Sequence, residues 1–423
     1  MFLRHHLGTI AAALALLGLA ACATPKAPPA APAPAPAEQA ARPAPKPAET
    51  VKKAPPQHQV ALLAPLTGPN APIGQSIANA ANMALLDIND PRIKLTIYDT
   101  AEGPEAAASR ALADGAKVVL GPLLAPDVRA VQPATKAAGV PVITFSNDAE
   151  LAIQGTYVMG FQPDQEVERV VAYARQRGIT RFAALVPAGS YGKRASEAFV
   201  ASVKASGGQL VAIETYPRDR TKLLTAARRV AGYDARLALS RARAAKSTGV
   251  ISAKGVPLPP PAFEALLIAD TGDYTRAFVP ALRQFGVETN RVRLLGTGLW
   301  NNEPALAREP ALQGAWFATV SDATFESLAK RYAGRFGARP SRLSSLGYDG
   351  ILLVHAAANG GWQIGKPFPQ SVLKTPSGYA GIDGLFRFPH TGVAERGMEV
   401  DELSGGTFKV VSPAPTAFSP AIN

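Results

Sequence analysis

The stretch VVLGPLLAPDVRAV, residues 118–131, decides how this chain folds. An apolar run ends in Gly121-Pro122 and restarts as a helix, which is how α/β proteins bring backbone N–H groups to the carboxyl end of a strand. The turn itself offers a ligand little. Leu123, Leu124 and Ala125 stand where a small molecule would want hydroxyls. Asp127 fills the first helical turn, where it complements the helix dipole and repels an anion. The stretch has the geometry of a binding fold without a binding fold's grip.

The same alternation runs outward in both directions. Residues 59–66 predict a strand, Thr67-Gly68-Pro69-Asn70 a turn and 74–88 a helix; IKLTIYDT, KVVLG and VPVITFS predict further strands, separated by helices that stop at Gly115 and Gly139. A second series follows: helix 164–177, strand RFAALVP, helix 191–206 and strand QLVAIETY. Strands alternating with amphipathic helices predict βαβ units, parallel sheets and two doubly wound lobes in tandem.

The 423 residues, 47% hydrophobic and 18% charged, suffice for a sizeable core. Residues 1–21 hold one Arg, two His and an apolar run of about fifteen residues, short of the roughly twenty a membrane span needs. They predict an export signal. The only cysteine, Cys22, closes Leu19-Ala20-Ala21-Cys22, which resembles a bacterial lipobox. That resemblance implies cleavage before Cys22, lipidation of Cys22 and membrane anchoring. Ala23 in place of Asp resembles the pattern of lipoproteins sent to the periplasmic face of the outer membrane. From Cys22 the expected tether runs to residue 57; its Ala/Pro-rich composition has no apolar periodicity, so it predicts an extended spacer reaching on the order of 100 Å.

The stretch VALLAPLTGPNAPIGQSIANAANMAL, with YGKRASEAF and SLGYDGILL further on, resembles the type I periplasmic binding proteins of the leucine-binding-like superfamily. AGYDARLALSRARA, PPAFEALLIAD, RVRLLGTGLWNNEPALAREPALQGAWFA and GIDGLFRFPHTGVAERGMEV narrow the likeness to the penicillin-binding-protein activator lipoproteins of proteobacteria. That likeness implies an α/β fold of two Rossmann-like lobes with a hinge and an interlobe cleft. Lobe 1 is expected to comprise 58–161 plus 321–376, and lobe 2 162–320 plus 377–423 with a basic helical insertion over 218–254.

The likeness further implies a non-enzymatic, outer-membrane-anchored protein that activates a bifunctional peptidoglycan synthase from the opposite side of the periplasm. Amino-acid receptors of the wider superfamily hold the ligand carboxylate with hydroxyls and its ammonium with an acidic residue. By position those roles fall on Ala125, Ser146, Asp148, Asp270 and Thr297 or Gly298, where only Ser146 and Asp270 have suitable chemistry. A more neutral cleft ligand would touch Thr67, Ser146, Tyr191, Asp270 and Trp300. The rival expectation is a lipoprotein solute receptor of an ABC transporter; a third is a peptidoglycan-binding structural protein.

Charge is concentrated. The chain carries a formal +12, and residues 218–254 hold ten basic against two acidic side chains. Lys222, Arg229, Arg236 and Arg243 recur every seven residues, which on one helix aligns them along a face, with Gly232 a point where that helix splits. Such a face is either simply solvated or a contact for an acidic partner: the synthase, peptide-stem carboxylates or anionic lipid. Export argues against nucleic acid.

Catalytic chemistry is not expected. His5, His6, His58, His355 and His390 form no zinc-binding spacing. GSYGKRAS is too short for a phosphate loop, and no GxSxG elbow occurs. No metal and no cofactor is expected.

Overall fold

A computed structural model of the chain describes residues 55–246, 257–301 and 303–418. The signal segment, Cys22, the tether to residue 54 and the end of the basic stretch, Lys254 included, lie outside them. Among the described residues no helix is long and apolar enough to cross a membrane.

Lobe 1 opens with β1 (His58–Ala64), α1 (Ala71–Ile88), β2 (Ile93–Asp99), α2 (Pro104–Ala113), β3 (Val118–Leu120), α3 (Ala125–Ala137), β4 (Val142–Thr144) and β5 (Thr156–Val158). Among the described residues these five strands form an all-parallel sheet in the order β2-β1-β3-β4-β5. Both faces are covered, so β1 is apolar almost without interruption. Val60 and Leu62 face α1, whereas Ala61 and Leu63 face α2. His58 opens β1 and stacks on Trp362 at 3.9 Å.

Lobe 2 follows with α4 (Pro163–Gln176), β6 (Arg181–Pro187), α5 (Ser190–Ala205), β7 (Gln209–Tyr216), α6 (Leu223–Val230), α7 (Tyr233–Lys246), β8 (Ala265–Ile268), α8 (Gly272–Gln284), β9 (Arg293–Gly296), α9 (Pro304–Ala307) and β10 (Trp316–Thr319). The chain then returns to lobe 1 for α10 (Ala323–Phe336), α11 (Ser344–Asn359) and the antiparallel strands β11 (Tyr379–Gly381), β12 (Gly384–Arg387) and β13 (Glu395–Arg396). It ends in lobe 2 with β14 (Glu399–Ser404) and β15 (Thr407–Ser412), which extend that sheet to the order β15-β14-β10-β9-β8-β6-β7.

Two expectations change here. The segment from 377 to 397 belongs with lobe 1: Ile382, Phe386, Phe388 and Ala394 join the core built on β1, α1 and α11, and Val393 bridges Val158 of β5. The alternation in GLFRF turns Phe386 and Phe388 inward as a small hairpin, so the last crossing falls near Gly397, not near 377. The basic stretch, moreover, is no simple insertion. Helix α6 buries Leu223, Ala226, Ala227 and Val230 in the lobe 2 core and is the crossover from β7 towards β8. Among the described residues of that stretch, only α7 is additional.

The two lobes close the strand-to-helix turn the same way. A Cβ on Gly74 would lie 1.9 Å from the carbonyl oxygen of Pro65, and one on Gly192 would lie 1.6 Å from that of Pro187. The helix following the first strand of each lobe therefore approaches as only glycine permits.

Candidate functional site

The turns after β1, β3 and β4 face those after β6 and β9 across a cleft of about 500 Å³. On lobe 1 it is walled by Asn70, Ile73, Leu123, Leu124, Phe145, Asn147 and Ser341–Leu343, at the hinge by Phe161 and Pro163, and on lobe 2 by Glu166, Tyr191, Gly298 and Leu299. Of the five expected cleft residues, the structure brings one, Tyr191, to this wall. Its hydroxyl lies 3.0 Å from Thr297 Oγ1, and burial pushes its phenol far above the ordinary tyrosine range.

The other four face elsewhere. Thr67 is exposed and donates to Asp99 Oδ2 at 2.7 Å, in a neighbouring groove shared with Asp127. Ser146 is buried; its Oγ accepts from the Asp148 N–H at 3.2 Å, holding the turn. Because side chains alternate along an extended segment, Phe145 and Asn147 take the cleft side and Ser146 turns beneath it. Asp270 is fully buried and accepts from Tyr216 Oη (2.6 Å), Arg218 Nη2 (2.9 Å) and the Thr271 N–H (2.8 Å). Trp300 is also fully buried; it packs against Gly296 and Phe317 and donates its Nε1–H to the Asp270 carbonyl at 3.1 Å. The carboxylate expected to meet a ligand's ammonium is already paired with a guanidinium of the chain itself.

Sequence inspection passed over Glu166 and Arg342. Glu166, in the first turn of α4, is buried and accepts from the Gly298 N–H at 3.1 Å; burial raises its carboxyl to about 8. Its only sequence signal was an acidic first turn, which most helices share. Arg342 lies over Phe325 at 4.1 Å and Phe161 at 5.6 Å and is held by Asp383 and by Asp322 at 3.2 Å. Burial together with neighbouring acids raises Asp349 and Asp322 beside it. At the cleft mouth Arg194 of α5 reaches across to the Asn147 carbonyl and amide oxygens and lies 3.7 Å from Asp148, which Arg129 also holds at 2.7 Å.

The four expected partner-contact residues do not share a face. Gly232, with φ +58°, separates α6 from α7 and breaks the single helix on which the seven-residue spacing depended. Lys222 and Arg243 are exposed; Arg229 is exposed and pairs with Glu214 at 3.1 Å. Arg236 points inward, donating to the carbonyls of Pro259, Ala231, Phe285 and Gly286 at 2.7–3.1 Å. It ties α6, α7 and the end of α8 together and is unavailable to a partner. Among the described residues no group of three His, Cys, Asp or Glu side chains could hold a metal ion.

Residues 57–405 match the family described as periplasmic binding protein. The chain belongs to that family. Its fold is of type I, α/β with largely parallel sheets. The Leu/Ile/Val-binding protein BraC3 of Rhizobium johnstonii is 30% identical over 162 residues, 35% of this chain and 44% of that protein. The aligned region spans less than half the length of the curated relatives it matches. Solved members of similar fold include a branched-chain amino-acid ABC transporter ligand-binding protein of Burkholderia xenovorans, with a TM-score of 0.63 and 17% identity, covering 86% of this chain and 96% of that one. The C-domain of LpoA from Haemophilus influenzae, a regulator of PBP1A, has a TM-score of 0.58 and 17% identity, covering 84% of this chain and 99% of that one.

Proposed function

We propose that this periplasmic binding protein is a non-catalytic, lipid-anchored regulator that activates a bifunctional peptidoglycan synthase by presenting a surface of its second lobe. One observation carries this: the pairing of Asp270 with Arg218 and Tyr216 occupies the site where an amino-acid receptor of this fold would meet its ligand's ammonium. The opposite wall offers Leu123 and Leu124 where hydroxyls would grip a carboxylate. The likeness of fold to the LpoA C-domain supports the same direction. In this account Cys22 fixes the protein to the outer membrane, the Ala/Pro segment spans the gap, and docking favours the synthase's active conformation.

The contact is assigned to the exposed basic side chains of the α6–α7 region, Lys222, Arg229 and Arg243, facing an acidic surface. Reversing all three to Glu leaves the fold intact and lowers affinity for the synthase at least about tenfold, read by surface-immobilised binding. An unchanged affinity contradicts the assignment.

A second reading, a solute receptor serving an ABC transporter, is favoured by the open cleft of about 500 Å³ and by relatives such as BraC3. It predicts that free amino acids raise the melting temperature, since ligand at 100 times its dissociation constant adds about 2.7 kcal/mol.

A further inference from the structure

The cleft has the size of a small-molecule pocket but is short of free charge. Ile73, Leu124, Phe161, Leu299 and Leu343 are only half-buried and leave apolar surface open to it, with Phe145 behind them. Among the described residues the one guanidinium in its wall, Arg342, has its charge paired with Asp383 and Asp322, and Arg194 at the mouth is paired with Asp148 and bonded to Asn147; the Arg342 Nη2 and Arg194 Nε that have no hydrogen-bond partner are buried. Asp270 lies behind the wall with Arg218. A carboxylate or ammonium entering here would lose its water without gaining a free counter-charge, which opposes its binding. Among the described residues the polar groups left in the wall are uncharged: the Glu166 carboxyl, beside the Gly298 N–H, and the Tyr191 hydroxyl, shared with Thr297, on lobe 2, with Asn70, Asn147 and Ser341 opposite.

We propose that the cleft takes an uncharged molecule with a flat apolar body and one hydrogen-bond-accepting oxygen, the body between Phe145, Phe161 and Leu299 and the oxygen on the Glu166 carboxyl. Burial keeps that carboxyl protonated to about pH 8, so it donates where an ionised one only accepts. The opposite polarity of the family's amino-acid receptors, which grip charge at both ends of the ligand, has no equivalent in this wall. The inference rests on the fold and the cleft alone, not on the docking surface.

Three probes with one ring and different charge test it: benzamide, benzoate and benzylammonium, with leucine as the zwitterion, titrated calorimetrically into the full chain at about pH 7. Benzamide is expected to saturate in the millimolar range or below, at least about tenfold tighter than the other three. Leu299→Trp, which fills the cavity, abolishes its binding; Glu166→Ala weakens it about tenfold, while Glu166→Gln, which keeps a donor, stays close to the parent. Benzoate, benzylammonium or leucine binding as tightly as benzamide overturns the proposal, as does benzamide binding that ignores Leu299→Trp or fails to saturate. A chain that binds benzamide but no synthase leaves this inference standing and removes the docking reading; the reverse result does the opposite.

Discussion

Arg236 and Arg243 lie on one helix, seven residues apart, and differ in every physical respect. Arg236 satisfies four carbonyls: those of Ala231, Phe285 and Gly286 at helix ends, the first two through buried hydrogen bonds, and that of Pro259 in the segment before β8. Replacing it with Ala is expected to cost about 3 kcal/mol or more in urea unfolding, because charged hydrogen bonds contribute about 1.5–3 kcal/mol each and orphaned carbonyls add desolvation. Arg243→Ala, at an exposed position, is expected to stay within about 0.5 kcal/mol. Equal effects would contradict the inward placement of Arg236.

Buried carboxyls set the pH dependence. Glu166 is raised to about 8 by burial, and Asp401 to about 7 by burial and by Glu399 and Asp322. An unfolded chain releases these protons in the ordinary carboxylate range, whereas the folded chain keeps them. Stability is therefore greatest when both states are protonated and falls as pH rises from about 4 to about 8. Depressed carboxyls act at the other end: Arg92 holds Asp90 down, so that contribution is present above the ordinary carboxylate pKa and is lost as pH falls through the lower, folded-state value. The melting temperature should decline between about pH 5 and about pH 8.5, and Glu166→Gln should flatten the decline above about pH 7. A flat parent profile, or a variant that tracks the parent, would contradict the burial of a neutral Glu166.

At the scale of elements, close approach decides. Gly192→Ala would press a methyl against the Pro187 carbonyl at 1.6 Å and separate α5 from β6; the expected loss is at least about 2 kcal/mol. Gly334→Ala, in the exposed interior of α10 with nothing within 4 Å of the new Cβ, is expected to gain up to about 1 kcal/mol. Circular-dichroism melts of the two variants should shift in opposite directions, and a shared sign would contradict this packing.

The elements were also the most legible part of the sequence. Continuous apolar strands bounded by Gly and Pro, such as VVLGP, gave the parallel sheets and the doubly wound order, because two-faced burial leaves a pattern in every strand. The hairpin at Gly381–Gly384 was assigned to the wrong lobe because a short alternating segment does not specify which core its aromatic face joins. The site was less legible still. Strand ends located the cleft, but a one-residue step along the chain exchanges Phe145 for Ser146, and nothing local tells which of them faces it. Asp270 read as available because its partner, Arg218, lies 52 residues away in sequence.

Across the whole molecule, three crossings near Gly160, Val320 and Gly397 join the lobes, and Arg194 fastens their rims to Asn147 and Asp148. Side chains of the chain itself thus bridge the cleft. Arg194→Ala should loosen the lobes and raise the radius of gyration in small-angle scattering, whereas an unchanged radius would show that the hinge alone sets their separation. A protein clasped in this way suits presentation of a fixed surface better than capture of a solute by closure.

The most direct measurement of that account is binding of the purified chain to the ectodomain of a bifunctional peptidoglycan synthase from the same organism, at low and at moderate salt. Saturable binding that weakens as salt screens the Lys222, Arg229 and Arg243 surface is the predicted result. No binding at tens of micromolar, on the order of −6 kcal/mol, would contradict it and leave the solute receptor as the function of this fold.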